Sequence, residues 1–328
     1  MSAQGAGALA DAAGDRPWLT VVMPVHEGED YLEATLESVA AQEGAGIELI
    51  ILDSSGNGRC GQIVDRFRTR LAIRYRFCPD IKPWTQKTNL AVAQASAPHV
   101  AMLHQDDLWL PGRLEAVRQT IASHPHAAMH LFPSRLIDGK DRDIGGWHCP
   151  LDGGRAWAGS DVAERLIVQN FVAIPAPVIR RDAWLAAGGL DEALWYTADW
   201  DLYLKLAAIG EVACNSLATT AFRVHGQSLT VQGSRDLHAF EEQLRIVVER
   251  HGRGIAADRR PAALRLARAS MAVNVALAGA LSGNARSMPR AMAELLSLSP
   301  AKLVRFFRYS RLWERVWPRL RLRLSGSL

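Results

Sequence analysis

The sequence has 328 residues, of which 48% are hydrophobic and 22% charged, and this composition excludes a collagen-like, disulfide-stapled or wholly disordered protein. The net charge is only +4, but residues 1–251 contain 23 Lys and Arg against 31 Asp and Glu, whereas residues 252–328 contain 15 against 3. The acidic body argues against nucleic-acid binding, and the basic tail predicts an anionic partner or a membrane surface. Four widely spaced cysteines with no CxxC pair predict reduced thiols in a cytosolic setting.

No secretory signal is recognisable, and residues 1–17, which are rich in Ala and Gly, are predicted to be a disordered leader. The best uncharged window runs from Ala269 to Ala285 and is interrupted by Asn, Gly and Ser residues. It is too short and too polar to span a bilayer. These features predict a cytoplasmic protein that is soluble or peripheral on the inner face of the cytoplasmic membrane.

Short apolar runs alternate with segments of helical periodicity from Trp18 onward. Strands are predicted at residues 19–24, 48–53, 73–77, 99–104 and 127–132, and helices at residues 30–42, 63–67, 86–95 and 112–124. This alternation predicts βαβ units and a mostly parallel sheet. Ligands of such sheets bind at the carboxyl ends of the strands.

The second half of the chain is predicted to be irregular before it becomes helical. Residues 138–160 contain Gly and Trp without periodicity and predict a long loop. Further helices are predicted at residues 161–169, 182–187, 199–209, 261–281, 287–297 and 300–316, with extended segments at residues 176–179 and 219–224. Residues 252–328 are therefore predicted to form a basic α-helical extension.

Carboxylates stand at the carboxyl ends of two predicted strands. Asp53 ends the second strand, and Asp106 and Asp107 follow the fourth. Adjacent aspartates can hold one hard divalent cation through their oxygens, but they can equally cap the next helix. There is no GxGxxG after the first strand and no GxxxxGK[ST], GxSxG or HExxH anywhere, which argues against dinucleotide-binding, P-loop, common hydrolase and metalloprotease functions.

Five motifs follow one another between Leu19 and His251. They are TVVMPVHEGEDYLEATLESVAAQ, ELIILDSSGNG, KTNLAVAQASAPHVAMLHQDDLWLPGRL, GGLDEALWYTADWDLYLKLA and FRVHGQSLT. Together they resemble the motifs of the family 2 glycosyltransferases. The resemblance implies a GT-A type α/β domain over residues 18–251, with a mostly parallel central sheet. It also implies transfer of a sugar from a nucleoside-diphosphate sugar, most often a UDP-sugar.

The resemblance implies a donor site at the ends of the strands. The residues that match it are Pro24, Glu27, Asp53, Lys87, Asn89 and Asp106. Asp53 matches a carboxylate that accepts hydrogen bonds from the base or ribose, although Ser54 stands where the family has a second aspartate. Lys87 and Asn89 match a basic and polar pair near the base or phosphates, but Lys87 could also be an ordinary exposed helix lysine.

A metal site is implied in the same way. Asp107 matches the direct metal ligand, and His225 matches a histidine near the donor diphosphate. The implied cofactor is Mg²⁺ or Mn²⁺, which would neutralise the charge that develops on the departing diphosphate. His225 could equally be structural, and Arg223 could contact phosphate or brace its strand.

Asp199 matches the catalytic base, which takes a proton from the acceptor hydroxyl. Ala198 replaces the acid that usually precedes this base, and Asp201 is therefore a second candidate. The acceptor is expected between residues 138–160 and the segment Trp195–Asp201. The residues predicted on the acceptor side are Trp109, Trp195 and Asp201.

These expectations combine into an inverting, metal-dependent transferase that acts on a glycan or lipid-linked acceptor in cell-envelope polysaccharide synthesis. Two alternatives stay open. A non-catalytic nucleotide- or glycan-binding protein of the same fold is one, because Ser54 and Ala198 both replace expected acids. A nucleotidyltransferase is the other, although it should have a basic, Gly-rich loop where this chain has the acidic HEGED.

The tail from Lys302 to Leu328 interleaves cations with Phe, Tyr and Trp residues and contains the single acid Glu314. Basic residues beside interfacial aromatic residues predict a helix that lies in the headgroup plane of an anionic leaflet. A solvated basic helix on the acidic body is the alternative.

Overall fold

The computed structural model of the protein describes residues 16–226, 236–281, 283–314 and 316–317. The strands are β1 (Leu19–Val25), β2 (Ile47–Asp53), β3 (Ile73–Phe77), β4 (His99–Met102), β5 (Leu108–Trp109), β6 (Met129–Leu131), β7 (Ser134–Asp138), β8 (Asp143–Trp147), β9 (Arg155–Trp157), β10 (Val178–Arg180), β11 (Val212–Cys214) and β12 (Thr220–Val224). The helices are α1 (Leu32–Ala40), α2 (Arg59–Asp65), α3 (Trp84–Gln94), α4 (Arg113–Ser123), α5 (Gly159–Leu166), α6 (Arg181–Ala186), α7 (Ala198–Ile209), α8 (Leu237–Gly252), α9 (Arg260–Leu281), α10 (Met288–Leu296) and α11 (Pro300–Ser310). Outside the described residues lie 1–15 of the predicted leader, 227–230 of the last motif, and 315 and 318–328 of the predicted tail helix.

Eight strands form the central sheet, in the order β3-β2-β1-β4-β10-β6-β11-β9. Neighbouring strands from β3 to β4 are parallel, β10 is antiparallel to both β4 and β6, and β11 is parallel to β6. The prediction of an α/β fold with a mostly parallel sheet is confirmed. Val25 lies opposite Asp53, and Asp53 lies opposite Phe77, so β1, β2 and β3 end at the same edge.

Both faces of this sheet are buried. Val22 and Ile50 belong to one hydrophobic cluster, whereas their chain neighbours Val21 and Leu49 belong to another. Successive residues of a strand point to opposite faces, so each face of β1 and β2 has its own apolar cover. This explains why β1 is apolar except for Thr20, because a strand covered on both sides has no solvent-facing polar side.

A smaller sheet has the order β5-β12-β7-β8. It corrects the prediction of a loop over residues 138–160, since that range contains β8 and β9 and the start of α5. β8 pairs with β7, and β9 pairs with β11 at the edge of the central sheet. Partner strands, rather than any alternation in their own sequence, make these short segments extended.

The C-terminal helices add to the larger hydrophobic cluster. Ala267 and Ala269 of α9 are fully buried in the same cluster as Val22 of β1. α11 ends at Ser310, earlier than predicted, because Arg311 has a left-handed φ of 48° that stops the helix. A domain boundary after residue 251 stays a prediction. Across the described ranges, no helix combines the length and apolar character needed to cross a bilayer.

Candidate active site

The ends of β1 and β2 surround the side chain of Lys87, which enters from α3. The ammonium donates to the Val25 carbonyl oxygen at 2.5 Å and to Ser54 Oγ at 2.7 Å, and both of these partners are neutral. Lys87 is almost fully buried, and this burial lowers its pKa to about 8. The interpretation of Lys87 as an exposed surface lysine is therefore wrong. The contact of Lys87 with a donor stays a prediction.

The Asp53 carboxylate is fully buried in the turn that follows β2. One oxygen accepts hydrogen bonds from the Ser55 backbone N–H at 2.8 Å and the Ser55 hydroxyl at 2.6 Å. The other oxygen accepts from the Tyr75 hydroxyl at 2.8 Å. Burial, together with the hydrogen bond to Asp53, raises the pKa of Tyr75, so this hydroxyl stays a donor. Asp53 thus shapes the turn, and its contact with a donor base stays a prediction.

Three other residues predicted for the donor site differ in position. Pro24 is buried within β1, and Glu27 is exposed just beyond it with a left-handed φ of 50°. The Glu27 N–H donates to Ser55 Oγ at 2.8 Å, which ties the two turns together. Asn89 bonds instead to Leu190, accepting from its N–H and donating to its carbonyl, both at 2.9 Å. Positions 87 and 89 point about 200° apart on a helix, so the structure does not bring Asn89 to Lys87.

Asp106 and Asp107 follow β4 and are bound by residues at the end of β12. Asp106 Oδ2 lies 2.9 Å from His225 Nε2. The Arg223 N–H donates to Asp107 Oδ1 at 2.9 Å, and the Arg223 Nε–H donates to the Asp106 carbonyl at 2.6 Å. The alternative that the two aspartates cap α4 is wrong, because Gly112 occupies that position and no side chain caps the helix.

The two neighbouring carboxylates have opposite pKa shifts. Burial opposes ionisation of Asp106, but the hydrogen bond with His225 and the electrostatic effects of His104 and His225 together outweigh it and lower the pKa. Burial and the adjacent charge of Asp106 raise the pKa of Asp107 well above its ordinary value. Asp107 Oδ2 is buried and has no hydrogen-bond partner within the described ranges. A cation beside this oxygen would supply the missing interaction.

A complete metal site made by side chains alone is not present in the described part of the chain, where no three His, Cys, Asp or Glu residues are arranged to hold an ion. Asp106, Asp107 and His225 nevertheless fit an open site, because carboxylate oxygens and an imidazole can supply some ligands and a diphosphate the rest. The unpartnered oxygen of Asp107 is the observation that supports this fit.

Asp199 lies in the first turn of α7 and is partly exposed. Its Oδ2 accepts a hydrogen bond from Asn170 Nδ2 at 2.8 Å. The Asn170 Oδ1 accepts from the Val172 N–H at 3.0 Å, which fixes the orientation of the amide. Burial raises the pKa of Asp199 to about 6. A carboxyl group with a pKa near neutrality can take a proton from a hydroxyl and release it again.

Asp201 is fully buried and held by the side chains of Arg250, His251 and Lys205. Its Oδ1 accepts from Arg250 at 2.8 Å and lies 2.7 Å from His251 Nε2, and its Oδ2 lies 2.7 Å from the Lys205 ammonium. Burial alone would raise its pKa, but the interactions with His251 and Lys205 lower it to about 2. The prediction of Asp201 as a second base or an acceptor contact is therefore wrong, because its carboxylate is inaccessible and already paired.

The two tryptophans predicted on the acceptor side differ. Trp109 is buried, and the Arg113 guanidinium lies 5.0 Å from its ring centroid. The prediction that Trp109 contacts an acceptor is wrong, because its ring is part of the core. Trp195 is partly exposed, and its carbonyl accepts from the Trp84 indole N–H at 3.1 Å. Its contact with an acceptor stays a prediction.

Sequence reasoning missed Asn170 and His104. Asn170 belongs to no motif and meets Asp199 only through the fold, so no local signal could have identified it. His104 lies between β4 and the aspartate pair, with its ring centroid 5.3 Å from that of Trp84. Its Nε2 is buried without a hydrogen-bond partner in the described ranges. Its place at a strand end is a signal that could have singled it out.

A sequence model described as Glycosyl transferase family 2 matches residues 20–146, which include Asp53, Lys87, Asp106 and Asp107. Residues 20–146 of the chain therefore form a family 2 glycosyltransferase domain. This glycosyltransferase is 20% identical over 226 residues to an uncharacterized glycosyltransferase of Rickettsia typhi, a likeness that covers 69% of this chain and 70% of the relative. It is 22% identical over 204 residues to an uncharacterized glycosyltransferase of Haemophilus influenzae, covering 57% of this chain and 61% of that protein.

Solved structures share the fold of this glycosyltransferase. TarS residues 1–349 from S. aureus, in complex with UDP-GlcNAc, has a TM-score of 0.57 at 16% identity, covering 90% of this chain and 91% of TarS. The mannosyltransferase PcManGT from Pyrobaculum calidifontis, in complex with GDP-Man and Mn²⁺, has a TM-score of 0.53 at 16% identity, covering 92% of this chain and 88% of that one. The expected GT-A type fold is thereby confirmed.

Proposed function

We propose that this glycosyltransferase moves a sugar from a UDP-sugar to a hydroxyl group of a glycan or lipid-linked acceptor, with inversion at the anomeric carbon and with Mg²⁺ or Mn²⁺. The reaction would serve cell-envelope polysaccharide synthesis in the cytoplasm. Asp199 carries the proposal, because it is a partly exposed carboxylate with a raised pKa and a neutral partner. The four cysteines, all free thiols, agree with a reducing compartment.

The donor class is supported by the buried Lys87 ammonium beside the strand ends. TarS is bound to UDP-GlcNAc and PcManGT to GDP-Man in their structures, so relatives of this fold bind nucleotide-sugars with different bases. We favour uridine because of the resemblance of the motifs.

In the proposed reaction, Asp199 takes the proton of the acceptor hydroxyl as the acceptor oxygen bonds to the anomeric carbon. The bond from that carbon to the diphosphate breaks, and its electron pair leaves with the nucleoside diphosphate. Attack from the side opposite the leaving group inverts the configuration. Asp107 and His225 would hold a divalent cation, which would supply positive charge to neutralise the departing diphosphate. Arg223 keeps Asp107 in place through the hydrogen bond to Oδ1.

The two replaced family acids do not remove this site. Ala198 is fully buried in the core, and the adjacent Asp199 remains in the first turn of α7. Ser54 accepts a hydrogen bond from Lys87 and so keeps a polar contact. Because the chain is a glycosyltransferase, we set aside the nucleotidyltransferase and the non-catalytic binding protein.

Replacement of Asp199 by Asn tests the base. Asp199→Asn keeps the shape and the neighbour Asn170, so it should retain donor affinity but lose about 10²-fold or more of turnover. Affinity is measured by calorimetric titration of UDP with Mn²⁺, and turnover by UDP release from a panel of UDP-sugars with water as surrogate acceptor. Glu211→Gln changes an exposed carboxylate outside the site and serves as the control. Turnover of Asp199→Asn equal to that of the control would remove Asp199 as the base.

A further inference from the structure

The C-terminal helices α10 and α11 present apolar side chains to solvent. Along α10, Met288, Met292 and Leu296 recur every fourth residue and therefore form one stripe. Met292 is 51% exposed and Leu296 is 79% exposed. Ala291 is buried in the core and lies about 100° around the helix from the middle of the stripe. α10 packs against α9, and the side chains of the stripe stay exposed.

α11 also has a buried side and a side with exposed apolar residues. Phe306 and Tyr309 are buried, whereas Val304 is 69% exposed and Phe307 is also exposed. At about 100° per residue, Val304 and Phe307 lie about 60° apart on the outer side of the helix. A soluble surface rarely gathers large apolar side chains in this manner unless it meets another apolar phase.

Cations flank the apolar side chains of α11. Lys302, Arg305 and Arg308 are exposed, and none of them forms an ion pair with the described residues. The acid Glu314 is already engaged, because it pairs with Arg311 and lies 3.2 Å from His148 Nδ1. Arg305 lines a cavity with Asp161 and Glu164, but both of these acids already pair with Arg259. The described residues therefore leave the positive charge of this surface in excess.

An exposed indole follows α11. Trp313 is 70% exposed, and an indole at such a position has an apolar body and a polar N–H, which suits the boundary between headgroups and acyl chains. We call the docking face the surface formed by Met292, Leu296, Val304, Phe307, Arg305 and Arg308. The docking face thus combines exposed apolar side chains with cations beside them, as helices that lie on anionic membranes do.

We propose that the docking face binds the surface of an anionic lipid bilayer, with α10 and α11 lying in the headgroup plane. A second copy of the chain fits less well, because a two-fold contact through this face would bring Arg305 and Arg308 of both copies together. Lipid headgroups supply the negative charge that the described residues do not. This surface lies outside the proposed active site, so docking does not depend on the donor or the acceptor.

The docking face is anchored to the rest of the fold. The His148 backbone N–H donates to Glu314 at 3.1 Å, which ties the segment after α11 to the chain that leaves β8. β8 belongs to the sheet that contains β12, and β12 leads to His225. A membrane bound by α10 and α11 would therefore hold the enzyme in a defined orientation.

Vesicle sedimentation of the full chain tests the proposal. Vesicles of phosphatidylcholine alone are compared with vesicles that also contain phosphatidylglycerol, at low and raised salt. The wild type should sediment with the anionic vesicles only, and less so at raised salt. The double variant Arg305→Gln, Arg308→Gln should lower the partition coefficient about 25-fold, since each cation near such a surface contributes about a factor of five.

The double variant Val304→Ser, Phe307→Ser should lower partitioning about tenfold or more, because it removes the inserted apolar area. Leu185→Ser on α6, at 49% exposure, is the matched control and should bind as the wild type does. All variants should keep the wild-type thermal midpoint and UDP release in the absence of vesicles. The Arg variant alters exposed side chains without ion pairs, so it remains informative if the apolar variant misfolds.

Three results would overturn the proposal. The first is absence of wild-type binding to anionic vesicles at low salt. The second is equal vesicle binding by the wild type and the Arg305→Gln, Arg308→Gln variant. The third is a wild-type dimer in sedimentation velocity that the double variant Val304→Ser, Phe307→Ser does not form. That result would make the docking face a contact between two copies of the chain.

Discussion

Replacement of Asn170 by Ala should shift the acid limb of the pH–rate profile to higher pH. Asn170 Nδ2 donates to Asp199 Oδ2 at 2.8 Å, and this hydrogen bond favours the ionised carboxylate. Burial acts in the opposite direction and raises the pKa of Asp199 to about 6. Without the amide, only the hydrogen bonds from the backbone of Trp200 and Asp199 still oppose the effect of burial, and the pKa rises further.

The size of the shift follows from the strength of such a bond. A hydrogen bond to a charged group contributes about 1.5–3 kcal/mol, which corresponds to about 1–2 pKa units. A base with a pKa of about 6 is about nine-tenths ionised at pH 7, whereas a pKa of about 7–8 leaves about one-half to one-tenth ionised. The turnover of Asn170→Ala at pH 7 should therefore fall about two- to tenfold and recover as the pH rises.

The assay is kcat measured by UDP release at saturating donor over about pH 5 to 9. Gln169→Ala is the matched control, because Gln169 accepts hydrogen bonds from Ser270 at 3.0 Å and Asn274 at 2.8 Å but does not contact Asp199. It should lower thermal stability and leave the acid limb in place. An unshifted limb in folded Asn170→Ala, or an equal shift in the control, would refute the coupling of Asn170 to Asp199.

Three further changes test other parts of the site. Lys87→Met should weaken UDP binding at neutral pH. In the wild type, kcat/KM should fall as the pH rises through about 8, where Lys87 loses its proton, and the variant should lack this fall. UDP affinity and a pH profile identical to those of the wild type would contradict this. Asp107→Asn removes a charge that a hard cation requires, so UDP binding should lose its Mn²⁺ dependence, and retained dependence would argue against a metal ligand at this position. Asp201→Asn should lower the free energy of unfolding in urea by about 2–3 kcal/mol at neutral pH, because the buried carboxylate no longer pairs with the partly exposed Lys205 and Arg250. Since the folded pKa of Asp201 is about 2, below the ordinary value of about 4, its stabilisation is complete above about pH 4 and disappears as the pH falls through 2. If the difference in free energy of unfolding between Asp201→Asn and the wild type stays the same at acid pH, the loss of stability is not electrostatic.

The helices and strands of the first 130 residues could be predicted from periodicity. A strand such as β1, which is buried on both faces, is almost entirely apolar, and the apolar residues of an amphipathic helix recur with the helical turn, so both leave local patterns. β8 and β9 left no such pattern. Gly145 and Gly146 interrupt β8, and only the neighbouring strand β7 makes the segment extended.

The candidate site also has features that the local sequence predicts and features that it does not. Strand-end carboxylates are visible in the sequence, because the parallel sheet that the periodicity predicts brings those ends to one edge. The environment of each carboxylate is not visible. Asp199 and Asp201 are two residues apart on α7, yet Asp199 has a raised pKa and a neutral amide partner, whereas Asp201 has a lowered pKa beside His251 and Lys205.

The sequence by itself determined the family, the α/β class and the positions of the acidic residues that follow the strands, since each of these depends on residues close together in the chain. Only the tertiary structure decided which acidic and aromatic side chains are accessible. The buried Asp201 and Trp109 were therefore wrongly predicted on the acceptor side. Arg250 and His251 reach Asp201 from α8, and Asn170 reaches Asp199 from a segment 29 residues away. Burial and hydrogen bonding are properties of the folded surroundings, and they set the pKa of a carboxylate through neighbours that its local sequence does not contain.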